Sequence, residues 1–149
     1  MEYDIAGAIP HRAPFLFLDE ITEIAADSLK AEYTLRPGDE LWSRVYSGHY
    51  PGSPITPGVL LCEMMLQAGA VLVREMTGAA SATGMPVVTR LQNVKFKAMV
   101  PPGSRVEIRV AMTERLAGAF FMKGGVWQGG KPAVQAEFAV AMTESRTES

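Results

Sequence analysis

Cysteine and histidine are scarce in this chain: Cys62 is the only cysteine, and His11 and His49 are the only histidines. A single cysteine forbids an intramolecular disulfide, and the three side chains have no zinc-like spacing, so neither a metal nor another cofactor is expected. Net charge is nearly absent too, at -2, and no block of one sign stands out. A nucleic-acid partner is therefore not expected. The longest apolar stretch, Val59 to Val73, is broken by Glu63 and Gln67 and ends at Arg74. It falls short of the roughly 20 residues that cross a bilayer, so no membrane span is expected. The opening, MEYDIAGAIPHR, carries acids where an export signal carries bases and has no apolar core. With one unpaired cysteine, this makes a reducing cytoplasm the expected location.

What the chain has in quantity is apolar residues, 48% of 149 positions, with 20% charged. That is the balance and size of one globular domain, expected over residues 1–149, with a polar tail from Thr143 to Ser149. From Val59 to Met76 nearly every position is apolar, which predicts a helix enclosed by protein on most sides. Pro57-Gly58 supplies its start and Gly78 its stop. Glu63, Gln67 and Arg74 are spaced by four and seven residues, so they share one face as a polar stripe.

Beyond a loop expected from Gly78 to Pro86, the period changes to two. Arg105, Glu107 and Arg109 alternate with Val106, Ile108 and Val110. Gln135 and Glu137 alternate with Val134, Ala136 and Phe138. These predict half-buried strands, with Gly129-Gly130 as a hairpin turn and Pro101-Pro102-Gly103 as a break after a strand at Val94 to Val100. Ser28 to Leu35 predicts another strand ahead of the helix. One long helix, three or four antiparallel strands after it and one or two before it make an α+β arrangement. The pattern suits a hot-dog fold, a sheet curled around the helix, and equally a sheet with a helix laid on one face.

The candidate chemistry is concentrated in GHYPGSPITPGVLLCEMMLQ, from Gly48 to Gln67. His49 lies in a loop whose prolines and glycines fix the backbone, and Glu63 follows in the second turn of the apolar helix. A carboxyl in an apolar helix is costly to ionise unpaired, so Glu63 reads as an acid and His49 as a base. Pairing of Glu63 with Arg74 is disfavoured, since eleven residues of helix span roughly 16 Å. Gln67 does not titrate and reads as a positioning residue. Cys62 has nothing basic beside it and reads as packing. His11 is a second active-site candidate, although docking of the N-terminal segment is the commoner role for such a position. Gly58 begins the helix, where unpaired amides can hold an oxygen on which charge develops. Together these groups suit removal of a proton beside a carbonyl and loss of a β-leaving group.

The same residues resemble the FabZ-type 3-hydroxyacyl-acyl-carrier-protein dehydratases of fatty-acid biosynthesis. Ile9-Pro10-His11-Arg12-Ala13-Pro14-Phe15-Leu16 is similar to that family's LPHRxPFL opening. His49-Tyr50-Pro51-Gly52-Ser53-Pro54-Ile55-Thr56-Pro57-Gly58-Val59-Leu60 is similar to HFPGxPxxPGVL, Glu63 to Gln67 to ExMxQ, and Val100 to Gly103 to a late VxPGD-like turn. Residues 9–142 take part. The resemblance implies a hot-dog fold and a lyase forming the trans-2-enoyl thioester from the 3-hydroxyacyl thioester. It implies His49 and Glu63 as the catalytic pair, Gly58 as amide donor to the thioester carbonyl, and Gln67 and Tyr50 as substrate-binding or supporting residues. A division of labour in which Glu63 acts through water is equally open.

It further implies an acyl-carrier protein as partner and a homodimer whose sites combine His49 of one subunit with Glu63 of the other, commonly as a trimer of dimers. Arg90, Lys95, Lys97 or Arg105 would supply a basic patch for an acidic carrier. Tyr50 stands where the family has Phe, Ser104 where it has Asp, and Lys95-Phe96-Lys97 where an Arg-containing strand is usual. Two other readings remain: a hot-dog thioesterase, which would release free thiol, and a non-catalytic acyl-carrier-binding subunit, for which a missing His or Glu would be expected.

Overall fold

The helix that the apolar run demands spans Gly58–Thr77 as α3, one residue longer at each end than the sequence reading. Leu61, Met64, Met65 and Leu72 are almost fully buried. Each such side chain contributes roughly 1.5–3 kcal/mol on burial, against about 1 kcal/mol net for a hydrogen bond, so packing holds α3 and polar contacts set its rotation. Gly69 lets the sheet come close: a Cβ there would lie 2.5 Å from the ring of Phe138.

The computed structural model describes residues 2–78 and 84–143. Its elements are α1 (Ile5–Ala8), β1 (Glu20–Ile24), β2 (Ser28–Thr34), α2 (Glu40–Gly48), α3, β3 (Met85–Phe96), β4 (Arg105–Leu116), β5 (Ala119–Gln128) and β6 (Lys131–Thr143). All six strands join one antiparallel sheet in the order β1-β2-β4-β5-β6-β3. Leu29, Ala31, Val106, Ile108, Val110, Phe120, Met122, Val126 and Phe138 point from it into one core around α3. The α3 helix packs against β2 through β6, so the sheet wraps it in the hot-dog arrangement.

Several boundaries differ from the sequence reading. The strand expected at Val94 to Val100 instead runs from Met85 to Phe96, because its register is fixed by pairing with β6. That places Met85 and Pro86 in a strand and not in the expected loop. Residues 79–83 of that loop and 144–149 of the expected tail lie outside the described residues. The α1, α2 and β1 elements went unread. Gly129 and Gly130 form the expected turn between β5 and β6, both at positive φ, where a side chain would be strained. Among the described residues, no helix is long and apolar enough to cross a membrane.

The two sheet edges differ. β1 is short, at 5 residues, and carries Glu20 and Glu23. β3 is 12 residues long and leaves Met85, Val87, Val88, Leu91 and Phe96 exposed. A long apolar edge with unused backbone donors and acceptors is a template for another strand.

Candidate active site

His49 is delivered by the unread helix α2. Trp42 and Tyr46, four residues apart, are its buried anchors. The Trp42 indole N–H donates to the Tyr33 hydroxyl at 2.6 Å, and the rings of Trp42 and Tyr46 stack with centroids 5.5 Å apart. Burial pushes the Tyr46 phenol above its usual range, so it stays neutral and shares a 2.8 Å hydrogen bond with the buried Thr56 hydroxyl. The Thr56 amide in turn donates to the Val100 carbonyl at 2.9 Å. Both ends of the loop between α2 and α3 are thereby fixed.

At the C-terminus of α2 the His49 amide donates to the Val45 carbonyl at 2.9 Å. The ring nitrogen Nδ1 lies 2.9 Å from the Ile55 carbonyl oxygen. That oxygen can only accept, so in the neutral ring the hydrogen bond puts the proton on Nδ1 and leaves the Nε2 lone pair available as a base. Tyr50 follows at φ 54, in the left-handed region, and its carbonyl accepts from the Ser53 amide at 2.9 Å. Holding a non-glycine residue there costs on the order of 1 kcal/mol, and such strain concentrates at functional loops. The Tyr50 ring meets the imidazole edge-on at 4.7 Å and is 64% exposed.

The polar stripe of α3 receives the N-terminal segment. Gln67, only 1% exposed, accepts from the Phe17 amide at 2.8 Å and donates to the Phe15 carbonyl at 2.9 Å and to Glu63 Oε2 at 3.0 Å. These three bonds tie Gln67 to the N-terminal segment and to Glu63. Arg74 donates to the carbonyls of Ala8 and Gly84, each at 3.2 Å. His11 brings Nε2 to 3.6 Å from Glu63 Oε2. The expected solitary, buried Glu63 is therefore corrected: its side chain is 23% exposed and has two nitrogen neighbours. Gln67 stands where its four-residue spacing on α3 puts it, whereas His11 arrives with the N-terminal segment, which the residue numbers alone do not place.

At the start of α3, no side chain caps the first amides, which leaves the Gly58 end able to bind an oxygen. A Cβ on Gly58 would lie 2.4 Å from Cε1 of Phe96, so that ring covers the helix start. Phe96 was missed as a site residue; its one signal was an aromatic standing alone between two lysines. Cys62 is 4% exposed and burial pushes its thiol up, against a thiolate nucleophile. Arg105 is corrected as a basic-patch residue, because Glu32 and Glu20 engage it at 2.6 and 2.9 Å and Asp19 lies at 3.7 Å. Within one chain His49 and Glu63 make no hydrogen bond or ion pair with each other among the described residues.

Known proteins are similar to this chain in sequence and in fold. A protein of Nitratidesulfovibrio vulgaris (strain DP4) named 3-hydroxyacyl-acyl-carrier-protein dehydratase FabZ is 32% identical, over 93% of this chain and 88% of that protein. A protein of the same name from Sulfurimonas denitrificans is 36% identical, over 83% of this chain and 79% of its own length. In three dimensions the dehydratase heterocomplex ApeI:P from Xenorhabdus doucetiae superposes with a TM-score of 0.79 at 18% identity, covering 97% of this chain and 93% of that one. The family model described as a FabA-like domain matches residues 9–137, a span that takes in the N-terminal segment, the histidine loop and the stripe of α3. All three parts of the site thus fall inside one family match, and the chain belongs to the FabA-like family.

Proposed function

We propose that the protein dehydrates a 3-hydroxyacyl thioester carried on acyl-carrier protein to the trans-2-enoyl thioester, as a lyase of fatty-acid biosynthesis. Kinship with proteins named for that reaction supports this reading. The observation that carries the chemistry is the His49 Nδ1 bond to the Ile55 carbonyl, which in the neutral ring leaves the lone pair on Nε2. Nε2 takes the proton from C2 as negative charge moves to the thioester oxygen, which the Gly58 amide stabilises. Glu63 gives a proton to the 3-hydroxyl as the C3–O bond breaks, and water departs with that bond's electron pair. Proton exchange with solvent then resets both groups.

We further propose that two chains complete each site, His49 of one facing Glu63 of the other. Two features support this: among the described residues no hydrogen bond or ion pair joins the two within a chain, and the apolar edge of β3 is uncovered. Pairing of β3 with a second copy would satisfy that edge. Grouping such dimers in threes is part of the same proposal. Arg90, Lys95 and Lys97 remain as the cations for an acidic carrier once Arg105 is removed.

The direct test is mass spectrometry of 3-hydroxyacyl carriers of several chain lengths incubated with the protein. Loss of water to an enoyl species is expected. Free carrier thiol without enoyl product would instead indicate a thioesterase, and no change at all would sink the enzymatic reading.

The Gly58 role gives a separate expectation. Gly58→Val is expected to lower turnover roughly 10 to 10³-fold, the range for a disturbed oxyanion site. The added side chain also meets Phe96, so the double variant Gly58→Val/Phe96→Ala supplies the control. If turnover returns to normal in the double variant, the loss came from the displaced ring and the amide assignment is wrong.

A further inference from the structure

His11 occupies a position that docking of the N-terminal segment does not explain. That segment is already held without its side chain. The Arg12 guanidinium donates to the carbonyls of Ala6, Ile9 and His11 at 2.7–2.8 Å, and Gln67 bonds the backbone at Phe15 and Phe17. The imidazole adds nothing to this backbone network. It points Nε2 at Glu63 Oε2, 3.6 Å away, while its Nδ1 is buried with no hydrogen-bond partner.

The Nε2 environment selects the form of the ring. Nδ1 lacks a partner whether it carries a proton or a lone pair, at a similar cost either way. A bare Nε2 would set its lone pair against those of a carboxyl oxygen. The neutral tautomer with hydrogen on Nε2 turns a donor toward that oxygen instead. Closing the gap by about 0.6 Å brings it to ordinary hydrogen-bond length, and catalytic contacts commonly tighten in this way when substrate is bound.

Gln67 Nε2 already donates to the same Oε2 at 3.0 Å. An oxygen accepting two N–H donors acts as the carbonyl or anionic oxygen of a carboxyl group, because a hydroxyl oxygen is the poorer acceptor. Resting on the dehydratase reading, we infer that His11 is a positioning residue which, together with Gln67, assigns Oε2 of Glu63 to hydrogen-bond acceptance and places the transferable proton on Oε1. When that proton passes to the departing hydroxyl, the charge left on Glu63 settles on Oε2, between the two donors. His11 therefore acts on the release of water through Glu63 and makes no contact with the reacting carbons.

The experiment compares His11→Phe, which keeps a ring and loses the donor, with His11→Gln, whose amide N–H reaches the Nε2 position. His11→Phe is expected to lower kcat about 10-fold with KM within about twofold, and His11→Gln to restore most of it. In protein carrying ¹³C-labelled glutamate, the Glu63 carboxyl resonance is expected to move in the Phe variant and to return in the Gln variant. Wild-type kcat in His11→Phe, a Gln variant as slow as the Phe variant, or an unmoved resonance would each overturn the inference. If His11→Phe does not fold, His11→Asn takes its place, since its amide reaches only the Nδ1 position, and Gln must then be the faster of the two. The resonance reports the His11–Glu63 contact whatever reaction is catalysed. Absence of enoyl product from the wild type would therefore overturn the dehydratase reading separately.

Discussion

Replacing His49 with Ala, or Glu63 with Gln, is expected to cut turnover at least ~10²-fold while the protein stays folded. The size follows from what is removed: a base with its Nε2 lone pair exposed by the Ile55 bond, or the only carboxyl on the polar stripe of α3 near the helix start. Folding should survive because each change costs little. His49 contributes one side-chain hydrogen bond from a partly buried position, worth about 1 kcal/mol. The amide of Glu63→Gln still offers an oxygen to Gln67. Thermal unfolding and steady-state turnover on the same preparations check both halves. Near-normal turnover in either folded variant would remove the pair from the mechanism.

The second large effect is a gain. Each single variant alone should be inactive, yet mixing His49→Ala with Glu63→Gln and allowing subunits to exchange should restore about a quarter of wild-type specific activity. Random pairing makes half the dimers mixed, and each mixed dimer holds one intact site of two. The motive is again that no hydrogen bond or ion pair joins the two within a chain among the described residues, together with the uncovered edge of β3. Exchange can be verified by native mass spectrometry of size-tagged subunits. If mixed dimers form and activity stays at the level of the single variants, the site lies within one chain.

Parts of this arrangement were legible from residue order, for local reasons. The α3 helix was found to within a residue at each end because proline, glycine and a continuous apolar run mark it in the sequence itself. The histidine loop was legible on the same grounds. The α2 helix was not, since nine residues with only Trp42 and Tyr46 buried give too few apolar positions to show a period. β3 was misplaced because it is exposed along nearly its whole length, so alternation of burial never developed to reveal it. In the site, residue types on α3 announced Glu63 and Gln67, but their surroundings did not follow. His11, and the backbone that anchors Gln67, arrive from the distant N-terminal segment by tertiary docking.

That docking has a consequence for the order in which the protein folds. The contact that orients His49 closes over 6 residues, whereas Gln67 bonds partners 50 and 52 positions away. Closing the longer loop carries a larger entropic cost, and non-local contacts of this kind form late. The histidine loop can therefore take shape while the carboxyl still lacks its supports. By the same token, partial unfolding should release the segment around His11 first, and amide exchange at Phe17 should run ahead of exchange at His49.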